Sequence, residues 1–175
     1  RLHDELHRQT THQIDLLNSW LKRLIDTNNR EEKKELLRRI VVVGAYLKRR
    51  NNLILVNEQD GIIKTEELKL SLNEMMKNLQ LANISCASTV QFEDDVPSNI
   101  AMQLFDFYEY VVENTFDGLT SLLARFIHRD GLYFACIDVV CSLDLTNLKK
   151  ENLTVSVSEE NCYTLSFQVK EGDGK

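Results

Sequence analysis

Apolar residues recur at helical spacing from the start of the chain. Leu2, Leu6, Ile14, Leu17, Leu21 and Leu24 form a stripe, widened by Leu16, Trp20 and Ile25, in a segment free of Gly and Pro. The period predicts a helix from Leu2 to about Asp26. Thr27, Asn28, Asn29 and Arg30 then make a polar turn. A second helical pattern runs through Leu36, Leu37, Ile40, Val43 and Leu47 and can continue through Leu53 to Val56, so the two helices are expected to pair as a hairpin. One hairpin has too few partners for this much apolar surface, and two copies joined in a four-helix bundle would bury it.

Asn57 to Gly61 reads as a break. Beyond it, Leu68, Leu72, Met75, Met76 and Leu79 outline a third helix, with Thr65 in the capping position. Ile84 to Phe92 is rich in short and β-branched residues and reads as a strand. The turn Asp94-Asp95-Val96-Pro97-Ser98 leads to a long helix from Asn99 to about Phe116. Leu119 to Ile127 and Leu132 to Val140 read as strands around His128-Arg129-Asp130-Gly131. Asp144 to Lys150 suggests a short helical connection, and Leu153 to Val157 with Tyr163 to Phe167 a terminal hairpin around Glu159-Glu160-Asn161. The fold class is α+β: a helical hairpin over residues 1–56, then a two-layer α/β sandwich over residues 57–175.

Composition narrows the choices. Of the 175 residues, 43% are apolar and 27% charged, enough for a core and a solvated surface, which excludes global disorder. A net charge of −6 argues against a nucleic-acid partner, despite the basic runs Lys33-Lys34 and Lys48-Arg49-Arg50. The four cysteines, at 86, 136, 141 and 162, have no CxxC spacing and read as reduced apolar filler in a reducing compartment. No apolar run reaches the roughly 18 residues of a membrane span. The expected location is cytoplasmic, any membrane-anchored sensing part lying N-terminal to a trimmed chain.

The opening residues carry candidate chemistry. In Arg1-Leu2-His3-Asp4-Glu5-Leu6-His7 a histidine and two carboxylates share the first turns of a helix. Imidazole titrates near pH 6.5, so a neutral ring can attack an electrophilic phosphorus, and the adjacent carboxylate can orient the ring or accept its proton. His3 and His7 could share a face, but with His12 they make no convincing metal set.

The stretch Arg1-Leu2-His3-Asp4-Glu5-Leu6 resembles the phosphoacceptor motif of sensor histidine kinases, Arg-Ile/Leu-His-Asp-x-Leu-Gly-Gln. The order of elements resembles the kinase core along nearly the whole chain. The resemblance implies that His3 is the phosphoacceptor, that Asp4 is its acid/base partner, and that the phosphoryl group passes to an aspartate of a response-regulator receiver domain. It also implies a homodimer. Where the family has Gly-Gln this chain has His7-Arg8, which puts regulator dephosphorylation in doubt.

In that family the long helix of the ATP-binding domain carries an acidic residue and, four positions on, an asparagine that holds magnesium. Glu109 matches the first and Glu113 falls on the second, with Asn114 beside it but about 100° around the helix. A glutamate can ligate magnesium, so Glu113 is the candidate metal ligand. The alternative is that both are ordinary solvent-facing acids. For the family's Asp-x-Gly-x-Gly the chain offers Asp138, or else Asp144, without any glycine from Leu132 to Glu171. A phosphate-cradling lid therefore lacks support. Three readings stay open: a kinase with a divergent site for ATP and Mg2+, an ATP-independent phosphotransferase like the sporulation class, and a noncatalytic dimeric interaction protein.

Overall fold

A computed structural model of the chain describes residues 2–172, and the side chains of these other than residues 2–7, 9 and 56–60. Two long helices, α1 (Leu2–Asp26) and α2 (Arg30–Asp60), form the hairpin. Its turn is closed locally: Asn29 Oδ1 accepts from the backbone N–H groups of Glu31 and Glu32, capping α2. Then come β1 (Ile62–Ile63), α3 (Thr65–Leu81), β2 (Ser85–Gln91), β3 (Val96–Pro97), α4 (Ser98–Thr115), β4 (Leu119–Arg129), β5 (Leu132–Cys141), β6 (Leu153–Glu159) and β7 (Cys162–Lys170).

Five strands form one sheet in the order β2-β4-β5-β7-β6. Only β2 and β4 run parallel; β4, β5, β7 and β6 are antiparallel neighbours. The helices α3 and α4 lie on one face of this sheet, and α2 packs on their far side. The α4 helix is thus covered from two directions. Phe107 stacks on Phe167 of the sheet with centroids 4.9 Å apart, while Phe105 stacks on Tyr46 of α2 at 5.6 Å. A helix so placed must be apolar nearly all round. Leu104, Phe105, Phe107, Tyr108, Val111 and Val112 are all buried.

Several local expectations shift. Residues 57–60, expected as a break, continue α2, and the chain turns at Gly61, whose φ of 67° suits a residue without Cβ. Thr65 is the first residue of α3, not its cap: its hydroxyl donates to the Asp94 carbonyl, and its N–H donates to Asp95 Oδ1. The β4–β5 hairpin closes in two residues, Asp130 and Gly131, both at positive φ. Residues 144–150 form no helix, because Asp144 Oδ1 accepts from both the N–H and the hydroxyl of Thr146 and holds a local turn instead. All four cysteines are free thiols.

The apolar surface of the hairpin is divided. Leu36, Val42, Val43, Tyr46, Leu47 and Leu53 of α2 are buried within the chain itself. Ile14, Leu21 and Ile25 of α1, with Leu37 and Val41 of α2, remain exposed.

Candidate functional site

The seam between the hairpin and α4 gathers the polar groups that the surrounding apolar packing makes most costly. Arg50, 1% exposed, sits on the apolar stripe of α2 one turn beyond Tyr46. Its Nε and Nη2 donate to the two oxygens of Asp106 at 2.8 and 3.2 Å, and its Nη1 donates to Thr10 Oγ1 at 2.6 Å. The Tyr46 hydroxyl also donates to Asp106 Oδ1, at 2.7 Å. Desolvation, followed by the charge of Asp106, pushes that hydroxyl's pKa far above the usual tyrosine value. Arg50 therefore ties together α1, α2 and α4.

One turn along α4 the bonding differs. Glu109 is 2% exposed, and neither of its oxygens has a hydrogen-bond partner among the described residues. Burial first, then the neighbouring charges of Glu113 and Asp106, raise its pKa well above the usual carboxylate range. Glu113, at the rim, is engaged by α1: its two oxygens lie 3.0 Å from His12 Nε2 and 3.1 Å from Gln13 Nε2, the amide donating. The other amide atom of the buried Gln13, Oε1, has no partner among the described residues.

Two cavities meet on these two glutamates. The larger, about 290 Å3, is walled mainly by Leu16, Trp20, Val42, Val43, Val112 and Phe116. The smaller, about 210 Å3, has Gln13, Tyr46, Asp106, Tyr110 and Lys150 among its walls. Asp138 is elsewhere. On β5 its neighbours Ile137 and Val139 point into the core beneath the helices, so Asp138 faces the opposite side of the sheet. There it accepts from Arg125 Nη2 at 2.8 Å and from the Thr164 hydroxyl at 2.6 Å.

Comparison with solved structures decides what this arrangement of elements is. The histidine kinase domain of the blue-light activated histidine kinase EL346 of Erythrobacter litoralis matches 91% of this chain and 94% of its own, with a TM-score of 0.51 at 13% identity. The chain has a histidine-kinase-like fold. A longer EL346 structure matches 95% of this chain and 60% of its own, with a TM-score of 0.50 at 11% identity. A bacterial phosphotransferase matches 94% of this chain and 92% of its own, with a TM-score of 0.48 at 13% identity. No family model and no curated protein matches the sequence. At these identities the likeness is one of fold.

Within the histidine-kinase-like fold, the residues proposed from sequence do not gather at one place. His3 and Asp4 belong to the first turn of α1, and their side chains lie outside the described residues. Glu109 is not the solvent-facing acid that helical periodicity allowed, because the hairpin covers it. Glu113 bonds to α1, and Asn114 bonds back to the Tyr110 carbonyl of its own helix. With Asp138 across the sheet, Glu109, Glu113 and Asp138 do not form one pocket for Mg-ATP. Among the described residues, no three His, Cys, Asp or Glu side chains are placed to hold a metal ion, and no helix is long and apolar enough to cross a membrane.

Nothing in the sequence motifs points to Asp106 or Gln13, and Arg50 stands there within a basic run. A signal was available for Arg50: with Val42, Tyr46 and Leu53 it falls at i, i+4, i+8 and i+11 on one helical face, so its place in a basic run concealed a position on the apolar stripe.

Proposed function

We propose that this chain is an ATP-independent histidine phosphotransferase of two-component signalling. It exchanges a phosphoryl group between His3 and the aspartate of a response-regulator receiver domain. The observation that favours this over a kinase is the engagement of α4 by the hairpin: Glu113 bonds to His12 and Gln13, and Glu109 is closed off between the helices. Of the carboxylates that would face a nucleotide, one is bonded by α1 and the other is covered by the hairpin. The fold and the opening motif Arg1-Leu2-His3-Asp4-Glu5-Leu6 support the phosphoryl-transfer part.

In the reaction a neutral imidazole nitrogen of His3 attacks phosphorus. The N–P bond forms as the acyl-phosphate P–O bond breaks, and the regulator's aspartate leaves as a carboxylate. Asp4 holds the proton on the second ring nitrogen, which stabilises the ring as it becomes cationic. The reverse transfer regenerates both partners.

The test uses receiver domains labelled with acetyl phosphate and, separately, Mg-ATP labelled at the γ position. Acid-labile label on His3 from a receiver, none from ATP, and loss of all label in His3→Gln is the expected result. Label from Mg-ATP alone would restore the kinase. No label from any receiver would leave a noncatalytic interaction protein.

The active form on this reading is a homodimer in which a second copy covers Ile14, Leu21, Ile25, Leu37 and Val41. Ile25 is 82% exposed, and adjacent apolar residues on both helices favour a helical partner over solvent. Sedimentation equilibrium is expected to give a dimer for the natural chain and a monomer, still folded by circular dichroism, for Leu21→Glu/Ile25→Glu. A natural chain that stays monomeric at micromolar concentration would exclude the bundle.

A further inference from the structure

The cavity between α1, α2 and α4 has a composition that phosphoryl transfer does not use. One wall is hydrocarbon and aromatic, made by Trp20, Val42, Val43 and Phe116, and the charged residues that line it are Glu109, Glu113 and Arg39. Its volume, about 290 Å3, is near the lower end of the range for small-molecule sites, roughly 300 Å3 upward. Among the described residues, the groups at this seam without a partner are the carboxyl of Glu109, an acceptor at both oxygens once it gives up its proton, and, in the adjoining cavity, Oε1 of Gln13. A buried acceptor left unpaired is costly, so the seam is complementary to a ligand that brings donors and a positive charge.

The cations of the chain around this seam, Arg39 of the cavity wall among them, already have partners. Arg39 pairs with Glu35 and Asp117, Arg50 pairs with Asp106, and Lys150 Nζ lies 5.1 Å above the Tyr110 ring. His12 contacts Glu113, and Arg8 has interactions of its own. The aromatic walls already accept positive charge on their faces: the Arg39 guanidinium lies 5.9 Å from the Trp20 centroid and 5.2 Å from that of Phe116. An ammonium group carries three donors and one positive charge, which suits two carboxylates beside an aromatic wall.

We propose that this cavity binds a small amphipathic organic cation, a primary amine with an aryl or alkyl body. The ammonium sits between Glu109 and Glu113, and the body lies against Trp20, Val42, Val43 and Phe116. Because the ligand would touch α1, α2 and α4 together, it would hold the hairpin against the α/β layer. The inference is independent of phosphoryl chemistry at His3, which the assay does not involve.

Trp20 is the only tryptophan, so its fluorescence reports directly on the cavity. The full chain is titrated with 2-phenylethylamine and with its neutral isostere 2-phenylethanol. The expected result is a saturable change with the amine, at least tenfold weaker binding of the alcohol, and at least tenfold weaker amine binding to Glu109→Gln. The amide keeps the shape of the carboxylic acid but cannot become an anion. Glu113→Gln, at an exposed position, is expected to weaken the amine in the same sense and serves as the second variant if Glu109→Gln does not fold. Equal binding of amine and alcohol, no saturable response into the millimolar range, or unchanged amine affinity in a folded glutamine variant would each overturn the proposal.

Discussion

Replacing Asp106 by alanine is expected to destabilise the protein by about 3–5 kcal/mol, the range for breaking a buried ion pair from one side. Arg50 is 1% exposed, and its other described acceptor is the Thr10 hydroxyl, so the substitution strands a guanidinium between α2 and α4. The Tyr46 hydroxyl loses its acceptor at the same time. The cost comes from leaving charge and donors uncompensated and is not the net worth of the pair. The double variant Asp106→Ala/Arg50→Met, which removes both charges, is accordingly expected to recover much of the loss. Urea unfolding followed by Trp20 fluorescence measures both. A loss below about 1 kcal/mol for Asp106→Ala would mean that water reaches Arg50 and that the seam opens readily in solution.

Glu109 is expected to make stability fall as pH rises. Its folded-state pKa is raised by burial and by the charges of Glu113 and Asp106, whereas in the unfolded chain it titrates as an ordinary glutamate. Between the two values the folded state holds a proton that the unfolded state has released, so the slope of unfolding free energy with pH is negative. The protonated form contributes fully below the usual glutamate pKa. Its contribution declines by up to about 1.4 kcal/mol per pH unit until the folded-state value is passed. The groups facing it include Arg8 and His12 from α1, Arg39, Tyr46 and Arg50 from α2, and Lys150 from the β5–β6 connection. Comparison with Glu109→Gln isolates the glutamate, because the variant keeps the other groups. From about pH 5 to about pH 8 the natural chain is expected to lose stability relative to the variant. Parallel stability curves would show that the carboxyl is hydrated and ionised in the folded protein.

The two effects have opposite chemical origins on one helix. Asp106 is fully partnered and stabilises by neutralising Arg50. Glu109 is unpartnered and is tolerated chiefly in its neutral form, unless a cation from outside joins it. That contrast within one turn of α4 sets the seam apart as a place where ligand, proton and hairpin position are linked.

Periodicity along the chain settled most of the elements. Unbroken stripes of period 3.6 defined α1, α2, α3 and α4, and dense apolar runs punctuated by Asp130-Gly131 and Glu160-Asn161 defined the antiparallel strands. Local chemistry of this kind acts through neighbours a few residues away and is therefore written in order. The opening motif was legible for the same reason, as His3 and Asp4 are adjacent. Element ends read less well, because the start of α3 is set by Asp94 and Asp95, which arrive from a loop 29 and 30 residues distant. Tertiary structure alone decided what the acids of α4 face. The strand register put Asp138 on the open side of the sheet with Arg125 and Thr164. Packing of α2 across α4 paired Asp106 with Arg50 and buried Glu109, and α1 took Glu113. A helix pattern gives the angle at which a carboxylate projects, but whether it meets water, a guanidinium or a cavity depends on which element lies opposite, and that is fixed by contacts between residues 40 to 101 positions apart.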